Sequence, residues 1–301
     1  MSKETAIFSV ISFNLNDGLE KKDVEIQREL LKQIRYKWRN VLFMNFPEAF
    51  RPGEVDKKTV NRFARYLGHN GHTITPYKTA DKRPDDHVLV TTYNANALKH
   101  KVNIARLRIA TRNAVRLDVN SQVVGGKLTF IGGHLDDRRE APTISGDPTE
   151  TSRLSQALAL RDIIKPKNKT ILAFDFNAMH EYSAQAQIAR YLGNVGARWR
   201  PESVDPDPKT GRRSFSAKLF SLSEMAIGTT MNVFTEAGFT DAGKNSPYLA
   251  STIKLAPGPF GPAIDHILSN AGLKVIDFGT FRGPSDHRGI AATFEVEQTA
   301  A

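Results

Sequence analysis

The chain has 301 residues, 40% hydrophobic and 25% charged, the composition of a soluble globular protein with a sizeable core. It has no cysteine, which excludes disulfides, thiolate catalysis and cysteine-ligated zinc. Its 42 Lys and Arg against 32 Asp and Glu give a formal charge of +10, which favours polyanionic partners, nucleic acid before anionic lipid. No run approaches the roughly 18 apolar residues of a membrane span. The first apolar stretch is broken by Ser9, Ser12 and Asn14 and has no small-residue cleavage site, so a signal peptide is not expected and a cytoplasmic location is.

Residues 6–14 read as a strand. A helix is predicted over 23–38, capped by Asp23, with Ile26, Leu30, Ile34 and Trp38 recurring every four residues on one face. Residues 40–46 form a buried-type strand, and 57–67 a helix stopped by Gly68 and Gly71. Strands follow at 86–92, 112–119 and 127–133, the last two joined by a turn at Gly125-Gly126. Asp147-Pro148-Thr149-Glu150 opens a helix, with a cap, Pro at the first helical position and Glu to close a capping box; it ends before Pro166. A strand at 170–175, helices at 183–192 and 223–237, a surface loop at 201–217, and strands at 263–269, 274–281 and 290–296 complete the chain. The strand pair at 112–133 breaks simple βαβ alternation. The order fits a mixed α/β fold of two packed sheets with helices outside, in one domain spanning 1–301.

Polar residues collect where these strands finish. Phe13-Asn14-Leu15, Asn45-Phe46-Pro47-Glu48, Gly133-His134-Leu135-Asp136 and Phe174-Asp175-Phe176-Asn177 each close an apolar segment. Near the C-terminus stand Ala263-Ile264-Asp265-His266 and Gly283-Pro284-Ser285-Asp286-His287. Hard oxygen ligands such as Glu48, Asp286 and the Asn14 amide suit Mg²⁺. Histidines backed by carboxylates suit proton transfer. This is the inventory for hydrolysing a phosphate ester, which needs charge neutralised on the phosphoryl oxygens, a water deprotonated and aligned, and a leaving oxygen protonated or held.

Taken in order, these segments resemble the endonuclease/exonuclease/phosphatase (DNase I-like) superfamily over residues 7–296. The resemblance implies a four-layer α/β/β/α sandwich and a Mg²⁺-dependent phosphoesterase, with Mn²⁺ as a possible substitute. It implies that Asn14 and Glu48 lie beside the metal with Asp286 as a further metal-side carboxylate. By the same resemblance His134 serves the leaving group or contacts phosphate, and Asp175 and Asn177 position water or a phosphate oxygen. Asp265 orients His287, which acts as general base or phosphate polariser, with Asp175 the other candidate for base. Arg112 resembles a phosphate-binding arginine. Two positions depart from the pattern: Pro47 stands where Gln usually precedes the Glu, and Phe174 where Gly usually precedes Asp-x-Asn.

In isolation each residue has a plainer reading. Asn14 could cap a strand end, Glu48 could be a solvated loop acid, and His287 a structural histidine; the ordered set favours the site. His266 should point away from Asp265 and be structural. His69 and His72 flank a Gly and make a poor zinc pair, and His180 reads as an exposed loop residue. The loop at 136–139 is a solvated charged loop or frames the cleft, and the basic stretches 99–112 and 209–213 are solvated faces or contacts to a phosphate backbone. The reading is a phosphodiesterase or nuclease acting on nucleic acid. Its alternatives are a phosphomonoesterase on inositol phosphates or lipid headgroups, or another small phosphate ester, and a silent phosphate-binding module.

Overall fold

The computed structural model describes residues 5–16, 32, 34, 36–38, 40–50, 57–69, 71–78, 88–99, 102–110, 112–135, 153–164, 168–178, 229–244, 263–270, 272–283 and 285–298. The predicted helix at 183–192, the loops at 136–139 and 201–217, the 147–150 helix start, His180 and the cluster at 209–213 lie outside them. In chain order the strands are β1 (Thr5–Ser12), β2 (Val41–Phe50), β3 (His72–Lys78), β4 (Val88–Asn94), β5 (Val102–Ile109), β6 (Arg112–Ser121), β7 (Gly126–His134), β8 (Lys169–Asp175), β9 (Thr240–Asp241), β10 (Asp265–Ser269), β11 (Lys274–Arg282) and β12 (Arg288–Glu297). The helices are α1 (Lys57–His69), a single turn α2 (Ala95–Leu98), α3 (Arg153–Ile163) and α4 (Thr229–Glu236). No helix among the described residues is long and apolar enough to cross a membrane.

Among the described residues the strands form two six-stranded sheets. The first runs β11-β12-β1-β2-β4-β3 and the second β5-β6-β7-β8-β10-β9. Both are mixed: β1 and β2 pair parallel, as do β7 and β8, and the other pairs are antiparallel. Alternating side chains sort into three apolar layers. Phe8, Val10, Phe43 and Phe294 of the first sheet meet Val115, Leu117, Phe130, Ala173 and Ile267 of the second. Ile11, Met44, Phe46 and Val90 leave the first sheet on its other side and pack against Phe63 and Leu67 of α1 and against Ile34 and Trp38. Ala114, Ile131, Leu172 and Phe174 do the same from the second sheet, toward α3 and α4. The result is helix, sheet, sheet, helix.

The sequence reading needs amendment in four places. Helix α1 runs through Gly68 to His69, and the stop comes at Gly71, whose φ of +78° ends the segment. Three unpredicted strands, β3, β5 and the two-residue β9, each lie at a sheet edge. Pro76 sits in β3, where an edge strand tolerates a missing N–H.

Candidate active site

Strand register assembles the first half of the site. His134 at the end of β7 pairs with Asp175 at the end of β8, and Asp175 pairs with Asp265 at the start of β10. Each lies an even number of residues from an inter-sheet core position, Phe130, Ala173 and Ile267 respectively. All three side chains therefore face the other sheet. That sheet supplies the second half from the same end: Asn14 just beyond β1, Glu48 in β2, and His287 just ahead of β12.

Short side chain-to-backbone bonds set these segments. The Asn14 Oδ1 accepts from the Asn16 N–H (2.8 Å), the Asp175 Oδ1 from the Asn177 N–H (2.9 Å), and the Ser285 Oγ from the His287 N–H (3.1 Å). Each is a turn two residues long that fixes where the next side chain starts.

Strand β2 changes phase twice to deliver its residues. Ser9 faces Val41 while Val10 faces Phe43, so Leu42 is an inserted residue. After it Asn45 points between the sheets, where its Nδ2 donates to the carbonyls of Ala173 (2.8 Å) and Gly133 (3.2 Å) and its Oδ1 accepts from Thr91 (3.2 Å). Further on, Phe46 faces Val90 and Phe50 faces Val88, so Pro47, Glu48 and Ala49 arch over Leu89. Pro47, with no N–H to give a ladder, suits that arch. Glu48 has φ +46° and Asn177 φ +50°. Asn adopts this left-handed region readily, but for Glu it costs on the order of 1 kcal/mol, strain of the kind held at functional sites.

Two hydrogen bonds join the halves. The Asn14 Nδ2 donates to the Asp175 Oδ2 at 2.8 Å, and the His287 Nδ1 bonds the Asp265 Oδ2 at 2.8 Å. The Asn177 amide nitrogen lies 3.0 Å from both the Leu135 carbonyl and the His134 Nε2, matching its two hydrogens. That assignment makes the His134 Nε2 an acceptor, with the ring proton on Nδ1. Glu48 and Asp175 oxygens stand 3.7 and 3.6 Å from the same Nε2.

Charge in the site is unbalanced. Burial, then the neighbouring Asp265, push the Asp175 carboxyl up to about 8; the bond from Asn14 and the His287 charge oppose this, and Glu48 adds to it. Burial lowers the proton affinity of His287, but Asp265, Asp175 and Asp286 together outweigh it and raise the imidazole to about 10. A pocket whose carboxylates hold one another's protons has the donor set of a hard divalent cation. Asp175, Asp265 and His287 bring ligand atoms within 4.8 Å of one another. In that group the His287 Nδ1 is committed to Asp265, so oxygens from Asp175, Glu48 and Asn14 are the better cation ligands.

No protein-family model matches the sequence, and no curated protein matches it. Solved structures do. An endonuclease/exonuclease/phosphatase from Beutenbergia cavernae DSM 12333 is similar at 12% identity and a TM-score of 0.60, over 97% of this chain and 72% of that one. An AP endonuclease from Archaeoglobus fulgidus is similar at 13% identity and 0.56, over 95% and 99%. An inositol polyphosphate 5-phosphatase domain of SPsynaptojanin, in complex with inositol (1,4)-bisphosphate and calcium ion, is similar at 14% identity and 0.52, over 98% and 85%. The chain has the endonuclease/exonuclease/phosphatase fold.

Within that fold, seven of the predicted residues come together: Asn14, Glu48, His134, Asp175, Asn177, Asp265 and His287. Asp286 is exposed on the turn outside the Asp175, Asp265, His287 group. Arg112 is buried at the first position of β6, but alternation from the core residues Val115 and Leu117 puts Asn113 on the cleft side and Arg112 on the helix-covered side. Asn113, also buried and in line with His134, went unread in the sequence. Phe174 occupies its unusual place without entering the cleft. Its ring lies over Gly133 on the helix side, where a Gly133 side chain would come within 2.1 Å of it.

His266 faces that side too. Its Nδ1 bonds the Asp241 Oδ2 at 2.6 Å, and its Nε2 lies 2.9 Å from the Ala178 carbonyl, just past Asn177. It braces the Asp-x-Asn segment from behind. His72 is buried, with its Nδ1 3.1 Å from the Thr92 hydroxyl. A concavity of about 330 Å³ lies on the outer face of the second sheet, between Asn103, Arg116, Asp118, Lys127 and Asn168. It is far from the carboxylates, and its Arg116 and Asp118 neutralise each other at 2.8 Å.

Proposed function

We propose that this protein is a divalent-cation-dependent phosphoesterase that hydrolyses phosphodiester bonds of nucleic acid, with Mg²⁺ as its cation and Mn²⁺ as a substitute. The observation that carries the reading is the His287–Asp265 hydrogen bond of 2.8 Å joining the two sheets beside Asp175. Asp265 holds Nδ1 and leaves Nε2 for the ligand. At a proton affinity of about 10, His287 is charged at neutral pH and donates to a phosphoryl oxygen. Asp175, held by Asn14 and by the Asn177 N–H, orients the attacking water and takes its proton. The bond from phosphorus to the leaving oxygen breaks as water adds; that oxygen, on the His134 side of the cleft, takes a proton from solvent, and solvent regains one when Asp175 releases the proton it took from the water. Glu48, Asp175 and Asn14 would hold the cation, which neutralises phosphoryl charge and favours ionised Asp175.

A phosphomonoesterase is the second reading, favoured by the similarity to an inositol polyphosphate 5-phosphatase domain. The formal charge of +10 supports the polyanion instead. A screen of DNA, RNA, abasic DNA, bis-p-nitrophenyl phosphate and inositol phosphates, with and without Mg²⁺, separates them. We expect cation-dependent cleavage of a nucleic acid, abolished by EDTA, with Glu48→Gln lowering cation affinity and turnover by about tenfold or more. Full activity in excess EDTA refutes the cation role, and cleavage of inositol phosphates alone moves the assignment to the second reading.

A further inference from the structure

Of the basic stretch at 99–112, the register singles out two residues. In the β5–β6 pair, Ile104 lies opposite Leu117, Arg106 opposite Val115 and Arg108 opposite Asn113. Val115 and Leu117 are inter-sheet core, so Ile104, Arg106 and Arg108 share that inner face. Val115 pairs with Gly132 of β7, which sets Asn113 in line with His134. One row thus crosses the second sheet at its active-site end: Arg108, Asn113, His134, Asp175, Asp265.

The sheets are offset. The edge strand β3 of the first sheet packs over β6, and β5 lies one strand further out. A face that is core everywhere else is open there: Ile104 is 41% exposed, and Arg106 and Arg108 are exposed. The Arg108 Nε donates to the Ala110 carbonyl (3.4 Å), drawing its guanidinium toward the active-site end of the strand. At about 4.8 Å per strand, Arg108 is ~10 Å from His134 and ~14 Å from Asp175. A stacked strand covers the longer distance in about four phosphates, an extended one in fewer.

We propose that Arg106 and Arg108 bind the phosphates that flank the one cleaved, so that a nucleic-acid strand runs from the carboxylates across β6 to the overhanging edge of β5. This rests on the phosphoesterase reading and adds the path of the substrate. Both guanidiniums meet phosphate geometry through paired N–H donors, and a strand bound this way needs no base-specific contact.

The test uses the full chain. Arg106→Glu/Arg108→Glu is compared with Lys127→Glu/Arg161→Glu, which makes the same charge change at exposed positions on the other side of the sheet. Binding of a labelled single-stranded oligonucleotide is measured by anisotropy without divalent cation, at several salt concentrations. We expect the β5 variant to bind about tenfold or more weakly, with the log–log salt slope reduced by about 1.4, two contacts at ~0.7 each. The control should lose much less. Equal losses in the two variants overturn the proposal. Hydrolysis of bis-p-nitrophenyl phosphate, which has no flanking phosphate, should be unchanged in the β5 variant; a parallel loss would place the arginines in the cleft itself and also overturn it. If the wild-type protein hydrolyses no phosphoester while the binding difference holds, the catalytic reading fails and the track stands. Arg106→Gln/Arg108→Gln, expected to show the same slope change because it removes the same two contacts, substitutes if the charge reversal impairs folding.

Discussion

His287 owes its charge to Asp265 more than to any other neighbour, against the burial that would discharge it. Asp265→Asn should therefore bring the imidazole down from about 10 toward neutrality, read by NMR titration of the ring, and lower turnover by on the order of 10². An imidazole that still titrates near its wild-type value would show that Asp265 is not what holds the proton. The two residues stood out in the sequence as polar groups at strand ends with Gly and Pro nearby, and their pairing was what the family resemblance implied. Asn113 and the Asp241–His266 brace were not legible there. A lone polar residue inside a strand carries no mark of which face it takes until the register is known, and Asp241 lies 25 positions from its partner.

Strand β2 shows where element-level reading stops. Its apolar run over 40–46 announces a buried strand, but the inserted Leu42 shifts the alternation and nothing in the composition records it. Asn45 consequently points between the sheets, where it ties β2 to the backbones of β7 and β8. Strand β5 escaped for the opposite reason: an overhanging edge is wet on both faces, so Val102-Asn103-Ile104-Ala105-Arg106-Leu107-Arg108 lacks the alternation of a half-buried strand. The contact of β7 with β8 can be tested. Gly133→Ala sets a methyl 2.1 Å from the Phe174 ring, beside a fully buried neighbour. We expect a loss of about 1–3 kcal/mol in denaturant unfolding, partly recovered in Gly133→Ala/Phe174→Leu. An undiminished midpoint for the single variant would mean that the ring moves without cost.

At the scale of the whole molecule, the site's protonation gives stability an unusual pH dependence. The folded protein keeps the Asp175 proton to about 8, whereas the unfolded chain releases it near 3.8, so stability falls as pH rises through that window. His287 has the same sign: its contribution is complete below about 6.5 and is lost as pH rises through about 10. The chelated protein should have a lower urea midpoint at about pH 9.5 than at about pH 5.5, and Asp175→Asn should flatten the part of the slope below about 8. Added Mg²⁺ should restore the alkaline midpoint. A chelated protein more stable at the alkaline end would contradict the protonation scheme.

The four layers also bear on how the protein fails. No backbone ladder joins the two sheets among the described residues; they are held by interleaved side chains, with Phe43 stacked on Phe130 at 4.8 Å and 10°. Asn14–Asp175 and His287–Asp265 both span that seam at 2.8 Å. A relative shift of about 1 Å along such a bond takes it beyond hydrogen-bond range while leaving every strand paired as before. The geometry of the site is thus a measure of alignment between two plates, and warming or mild denaturant that loosens the seam should abolish the proposed phosphoesterase activity while the secondary structure is still intact.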